Sequence, residues 1–137
     1  MATQLNPYLN FRGQTREAME FYRDVFDGKL EMSTFEDYHA AEDPSENDMI
    51  MHSVLQADGI TFMAADTPSR MEYSPGTNFS MSLSGQDEAE LRGYFDKLAD
   101  RGTVMMPLEK AAWGDTFGML VDRFGVRWLV NISQTQG

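Results

Sequence analysis

Two blocks of this sequence recur in the same order. Gly28-Lys29-Leu30-Glu31-Met32 returns as Gly102-Thr103-Val104-Met105-Met106, and Gly59-Ile60-Thr61-Phe62-Met63-Ala64 lies over Gly125-Val126-Arg127-Trp128-Leu129-Val130. Gly13-Gln14 also matches Gly85-Gln86, and Phe21-Tyr22 matches Tyr94-Phe95, with an offset that drifts from 72 to 74 before the second block sets it at 66. Repeats of this length each encode one supersecondary unit, so the chain is expected to fold as a duplication.

The pattern within each copy identifies that unit. Leu5, Pro7, Leu9 and Phe11 alternate with Asn6, Tyr8 and Asn10, which predicts a strand. From about Thr15 the period becomes helical through Ala18, Met19, Tyr22, Val25 and Phe26, and Gly28 is the expected stop. Lys29 to Asp37 reads as extended, Tyr38 to Asp48 as a polar loop, and Met49 to Ala57 with Ile60 to Ala65 as a hairpin turning at Asp58-Gly59. Thr67 to Gly76 then reads as a linker. The second copy runs from a strand over Asn78 to Ser84, through a helix started by Asp87 with Glu90 and faced by Leu91, Tyr94, Phe95 and Leu98, to a stop at Gly102. Thr103 to Leu108, Thr116 to Val121 and Val126 to Ile132 supply three more strands, with Phe124-Gly125 in the last turn.

The expected fold is therefore α+β: tandem βαβββ modules, about 4–66 and about 77–133 of one 137-residue domain, forming a curved, mixed eight-stranded sheet around a cavity with one helix per module outside. A sheet covered by a helix on one face leaves the other free, and a ligand site is expected there. The 42% hydrophobic content suffices for a core. Eleven methionines, among them Met49, Met51, Met63, Met81, Met105, Met106 and Met119, read mostly as core filling, and the same adaptability suits a forgiving apolar pocket.

Charge and composition exclude several classes. A net charge of −11 opposes a phosphate backbone, so we expect no nucleic-acid partner. The absence of cysteine removes disulfides, thiolate metal sites and a cysteine nucleophile. Neither a run of eighteen apolar residues nor a basic, apolar leader is present, so we expect no membrane association and a cytoplasmic location.

Phe11-Arg12-Gly13, Glu17 to Phe26, Trp113-Gly114-Asp115-Thr116-Phe117-Gly118 and Asp122-Arg123-Phe124-Gly125-Val126-Arg127-Trp128 together resemble the PhnB-like branch of the vicinal-oxygen-chelate superfamily, also labelled glyoxalase-like, bleomycin-resistance-like or 3-demethylubiquinone methyltransferase-like. The resemblance runs from about Leu5 to Ile132. It implies the duplicated fold, and in metal-dependent members a divalent cation held by four His, Gln or Glu side chains from the first and last strand of each module. Carried onto this chain, those positions fall near Asn6 or Tyr8, near Asn78 or Ser80, and on Met63 and Leu129, none a strong ligand. No glycine-rich nucleotide turn follows a strand to support the methyltransferase label.

We therefore expect a protein of unassigned reaction that binds a small molecule in the sheet concavity without a metal cofactor, as a homodimer that completes each cavity. The alternative is a metal-dependent lyase or dioxygenase whose ligands come from elsewhere, such as His52 and Glu109. Tyr8, Asn10, His52, Met63, Trp113 and Leu129 are the candidate ligand-binding residues. His52, aligned with Gly118, is either an acid–base or ligand-binding group or a structural strand histidine, and Glu109 is either a general base or a solvated hairpin-end carboxylate. Trp113 is expected as a cavity wall by the resemblance. His39 reads as a solvated loop residue, and Phe62, Trp128 and Val130 as core.

Overall fold

Strand and helix ends are set by the partners each segment finds. The structure, a computed structural model, describes residues 3–133 and divides into two compact units, Met1–Pro75 and Gly76–Gly137. Unit 1 contains β1 (Tyr8–Phe11), α1 (Thr15–Phe26), β2 (Lys29–Thr34), β3 (Ile50–Ala57) and β4 (Ile60–Asp66); its sheet has the order β1-β4-β3-β2. Unit 2 contains β5 (Met81–Gly85), α2 (Glu88–Ala99), β6 (Thr103–Lys110), β7 (Thr116–Val121) and β8 (Arg127–Ile132) in the equivalent order β5-β8-β7-β6. In each, the first strand runs parallel to the last and the other pairs are antiparallel. The tandem βαβββ fold is thus present, its eight strands hydrogen-bonded as two mixed four-stranded sheets.

Each helix covers one sheet face. Ala18, Met19, Tyr22, Val25 and Phe26 of α1 are buried with Leu9, Phe11, Leu55, Phe62 and Ala64. Tyr22 and Phe26 both meet the Phe62 ring edge-on. Each large side chain so buried stabilises the unit by roughly 1.5–3 kcal/mol. Leu91, Phe95 and Leu98 of α2 occupy the positions of Ala18, Tyr22 and Val25 at a constant offset of 73, over Met81, Leu83, Leu120, Trp128 and Val130. Phe62, Trp128 and Val130 are core, as expected.

The helix starts are built differently. Asp87 caps α2 by accepting from Glu90 N at 3.1 Å. Gln14 makes no such bond, and Asp66, at the end of β4, does the work for α1. Its Oδ1 accepts from Gly13 N, Thr15 N and Thr15 Oγ1 at 2.8, 3.2 and 2.7 Å, and its Oδ2 from Ile50 N at 2.9 Å. A buried carboxylate is tolerated when its lone pairs are occupied in this way. One side chain therefore joins β4, the β1–α1 loop and the start of β3.

The helix ends differ from expectation. The left-handed residues are Asp27 and Arg101, not the glycines that follow them. Gly28 and Gly102 are required for a second reason: a Cβ would lie 2.8 Å from Gln56 O at the former and 2.4 Å from Val121 O at the latter. The chain passes against the neighbouring strand too closely for any side chain.

Several strand limits also shift. Leu5 is 98% exposed and β1 begins only at Tyr8, where pairing with Met63 starts. Residues 78–80 precede the ladder that Met81 opens with Trp128, so β5 is shorter than expected. The stretch expected to stay extended to Asp37 leaves the ladder at Thr34, and two 3-10 turns follow, Glu36–Tyr38 and Pro44–Glu46. Of the strand methionines expected in the core only Met81 is buried; Met51, Met105 and Met106 are exposed and Met49, Met63 and Met119 half-buried. Met105 and Met106 belong to β6, an edge strand in which every residue is exposed except the half-buried Leu108.

Candidate functional site

The faces turned away from the helices carry the chemically versatile side chains. In unit 1, Leu9, Leu55 and Phe62 point to α1, so alternation sends Tyr8, Asn10, His52, Val54 and Met63 to the other face. Tyr8 stands opposite Met63, Met63 opposite Val54, and His52 opposite Ser33 of β2. Four of the expected residues, Tyr8, Asn10, His52 and Met63, thus share one face, with Met63 half-buried and the others exposed. His39 caps the first 3-10 turn in a left-handed conformation and is exposed.

In unit 2, Leu129 pairs with Ser82 and Met119, Asn131 with Ser84 and Phe117, and Phe117 with Glu109. Trp113, in the turn after β6, is 62% exposed and meets the Phe117 ring edge-on with centroids 5.5 Å apart. Its Nε1 donates to Asn131 Oδ1 at 3.4 Å, and Asn131 Nδ2 donates to Asp115 Oδ2 at 3.0 Å. Glu109, Trp113 and Leu129 therefore lie on one face as well. Asn131 and Phe117 were not anticipated as site residues, although alternation from Leu129 along β8 leads directly to Asn131.

Two sequence alignments change. His52 does not correspond to Gly118. Gln56 pairs with Thr61 and Val121 with Arg127, and the turn between them is one residue longer in unit 2. Ser53 is then the counterpart of Gly118, both on the helix side, and His52 corresponds to Phe117. The extra residue is held by Asp122, which accepts from Phe124 N and Val126 N at 2.8 and 3.1 Å and from Trp128 Nε1 at 2.9 Å. Likewise the mate of Tyr8 is Ser82 rather than Ser80, because Tyr8 pairs with Met63 and Ser82 with Leu129. Gly13, at φ 83°, lies in the β1–α1 loop, whereas Gly85 ends a strand, so that match reflects no shared role.

These registers test the residues against the cation that the fold family implies. The four positions are Tyr8, Met63, Ser82 and Leu129. A phenol, a thioether, a hydroxyl and an alkyl group do not fit a divalent ion, which needs carboxylates or imidazoles to fix it. Among the described residues no three His, Asp or Glu side chains form a metal-holding group.

A cleft of about 320 Å³ lies elsewhere in unit 1, at the start of α1, lined by Arg16, Glu17, Glu20, Asp48 and the buried Asp66. Asp66 is fully occupied in holding the fold there. Near this region Glu46 accepts from Ser69 N and Ser69 Oγ at 2.8 and 2.7 Å, and those bonds hold its carboxyl below the usual range.

Duplicated βαβββ units with helix-free faces of this kind define a vicinal-oxygen-chelate protein. Residues 3–131 match the family described as 3-demethylubiquinone-9 3-methyltransferase, and the chain belongs to that family, the PhnB-like branch of the superfamily. It is 30% identical to protein YjdN of Escherichia coli, over 96% of this chain and 97% of the relative. Among solved structures it is similar to protein PA1353 of Pseudomonas aeruginosa, with 36% identity, a TM-score of 0.83, and 98% and 100% of the two chains covered. The PhnB protein of Bacillus cereus aligns with 26% identity and a TM-score of 0.79, covering 96% and 100%. The fosfomycin resistance protein FosX of Listeria monocytogenes, at 10% identity and a TM-score of 0.66, shares the fold.

Proposed function

We propose that this protein binds a small, partly apolar molecule on the helix-free faces of its sheets, using neutral hydrogen-bonding and aromatic side chains in place of a divalent cation. The observation that carries this is the pair of registers that sets Tyr8 beside Met63 and Ser82 beside Leu129, where the resemblance implies His, Gln or Glu ligands in metal-dependent members. Tyr8, Asn10 and His52 would hydrogen-bond the ligand in unit 1. On unit 2, Trp113, Leu129 and their neighbours would offer an apolar and aromatic surface to a ligand of the same kind. His52 and Glu109 are the groups available for acid–base chemistry on a bound molecule. In this reading the protein works in the cytoplasm as a homodimer.

The family description names a methyltransferase and FosX is named for fosfomycin resistance; neither activity is part of this proposal, because fold alone does not carry function. Calorimetry with a metabolite panel in the presence of a chelator, beside elemental analysis of protein purified without added metal, tests it. Saturable binding by protein free of metal is expected. Stoichiometric Zn, Ni, Mn or Fe would favour the metal-dependent lyase or dioxygenase alternative.

A further inference from the structure

The helix-free face of unit 2 carries more than a generic apolar surface. Trp113 occupies a four-residue turn in which Gly114 takes φ 101° and Gly114 N donates to Ala111 O. Such a turn needs no aromatic residue, yet the indole is held against Phe117 while more than half of it remains in water. Ordering a large exposed ring costs side-chain entropy and leaves apolar area wet, and a stacked ligand would offset both.

Beside the ring, the Asn131 amide has a defined orientation. A carboxylate only accepts, so the group facing Asp115 Oδ2 is the NH2, which turns Oδ1 toward Trp113 Nε1. That contact, at 3.4 Å, is long and occupies one of the two lone pairs of Oδ1. The oxygen is thus a fixed acceptor next to an aromatic platform. Glu109 stands directly across from Phe117 on the same face. Among the described strand residues of this face in unit 2 the cation is Arg127, four residues from Asn131 along β8, about 13 Å away.

We propose that this face binds a flat aromatic ring bearing a cationic N–H donor, as in an aryl amidine or aryl amine, with Trp113 and Phe117 taking the ring, Asn131 Oδ1 accepting the N–H and Glu109 matching the charge. The inference rests on the small-molecule reading above and names its ligand class.

The chain has two tryptophans, so a nitrogen-15 spectrum shows two indole N–H signals, from exposed Trp113 and buried Trp128. Titration with benzamidine should move the Trp113 signal saturably and leave that of Trp128 in place, which also reports that the unit is folded. Benzoate, with the same ring and opposite charge, and methylguanidinium, with the head and no ring, should each bind at least about tenfold more weakly. Asn131→Ala should weaken benzamidine about fivefold, and Glu109→Gln should narrow its advantage over neutral benzamide. No saturation by about 10 mM, benzoate binding as tightly, or an Asn131→Ala protein that binds unchanged would overturn the inference. A face that takes other panel molecules but not benzamidine sinks this inference alone, whereas a stoichiometric divalent cation sinks the broader reading whatever benzamidine does.

Discussion

Replacing Asp66 should damage unit 1 in a graded way that the hydrogen-bond geometry specifies. In Asp66→Ala, the backbone N–H groups of Thr15 and Ile50 lose a buried acceptor, the Thr15 hydroxyl must turn elsewhere, and Gly13 N–H is left to solvent. Each buried donor without a partner costs about 1–3 kcal/mol, so the variant should lose about 3–5 kcal/mol. Asp66→Asn can keep its oxygen toward Gly13 and Thr15, where three of the four bonds lie. Its NH2 then faces Ile50 N–H, a single donor–donor conflict worth about 1–2 kcal/mol. Urea denaturation followed by circular dichroism should therefore rank the proteins wild type, Asn, Ala. The midpoint should fall while the m-value holds, and the melting temperature should drop about 3–5 °C per kcal/mol. An Asp66→Ala protein within about 0.5 kcal/mol of wild type, or an Asn variant as damaged as the Ala variant, would show that Asp66 does not hold β4, the β1–α1 loop and β3 together.

Gly102→Ala puts a Cβ 2.4 Å from Val121 O and should cost about 1–3 kcal/mol, read as a lower denaturation midpoint; Gly28→Ala, at 2.8 Å from Gln56 O, should act in the same direction and less severely. The pH response of the Ser69 region follows from Glu46, whose carboxyl is depressed chiefly by the Ser69 N–H and then by its hydroxyl. A depressed acid contributes stability above its ordinary value of 4.5 that is lost as pH falls through the lower folded value, so the protection of the Ser69 amide relative to its intrinsic exchange rate should fall there, and Glu46→Gln should abolish that dependence. Asp122→Ala should loosen the β7–β8 turn and leave Trp128 Nε1 without its acceptor, a loss of about 1–3 kcal/mol visible in the buried indole signal.

The duplication was legible because core periodicity and glycine placement repeat together. Ala18, Tyr22 and Val25 recur as Leu91, Phe95 and Leu98, and the close approaches at Gly28 and Gly102 disfavour a side chain at either point. The assignment of Tyr8, Asn10, Met63 and Leu129 to helix-free faces followed from alternation alone. Register between the copies was not legible to the residue, since the β7–β8 turn is longer by one and the β5–α2 loop shorter by one than their counterparts. That single-residue difference moved His52 from Gly118 to Phe117. Asp66 was invisible for a different reason: it caps a helix that begins 51 positions earlier in the sequence, and local patterns do not report a cap supplied from another element. The exposed β6 methionines were misread because alternation signals a strand without telling whether either face is covered.

Mapping backbone amide shifts while chelator-treated protein is titrated with a bound small molecule most directly tests whether the helix-free faces recognise ligands without a cation. The perturbed amides should cluster around Tyr8, Asn10, His52 and Met63, or around Trp113, Leu129 and Asn131, and should do so equally with or without added divalent metal. Shifts confined to the α1 and α2 surfaces, or appearing only once a divalent ion is supplied, would contradict the account.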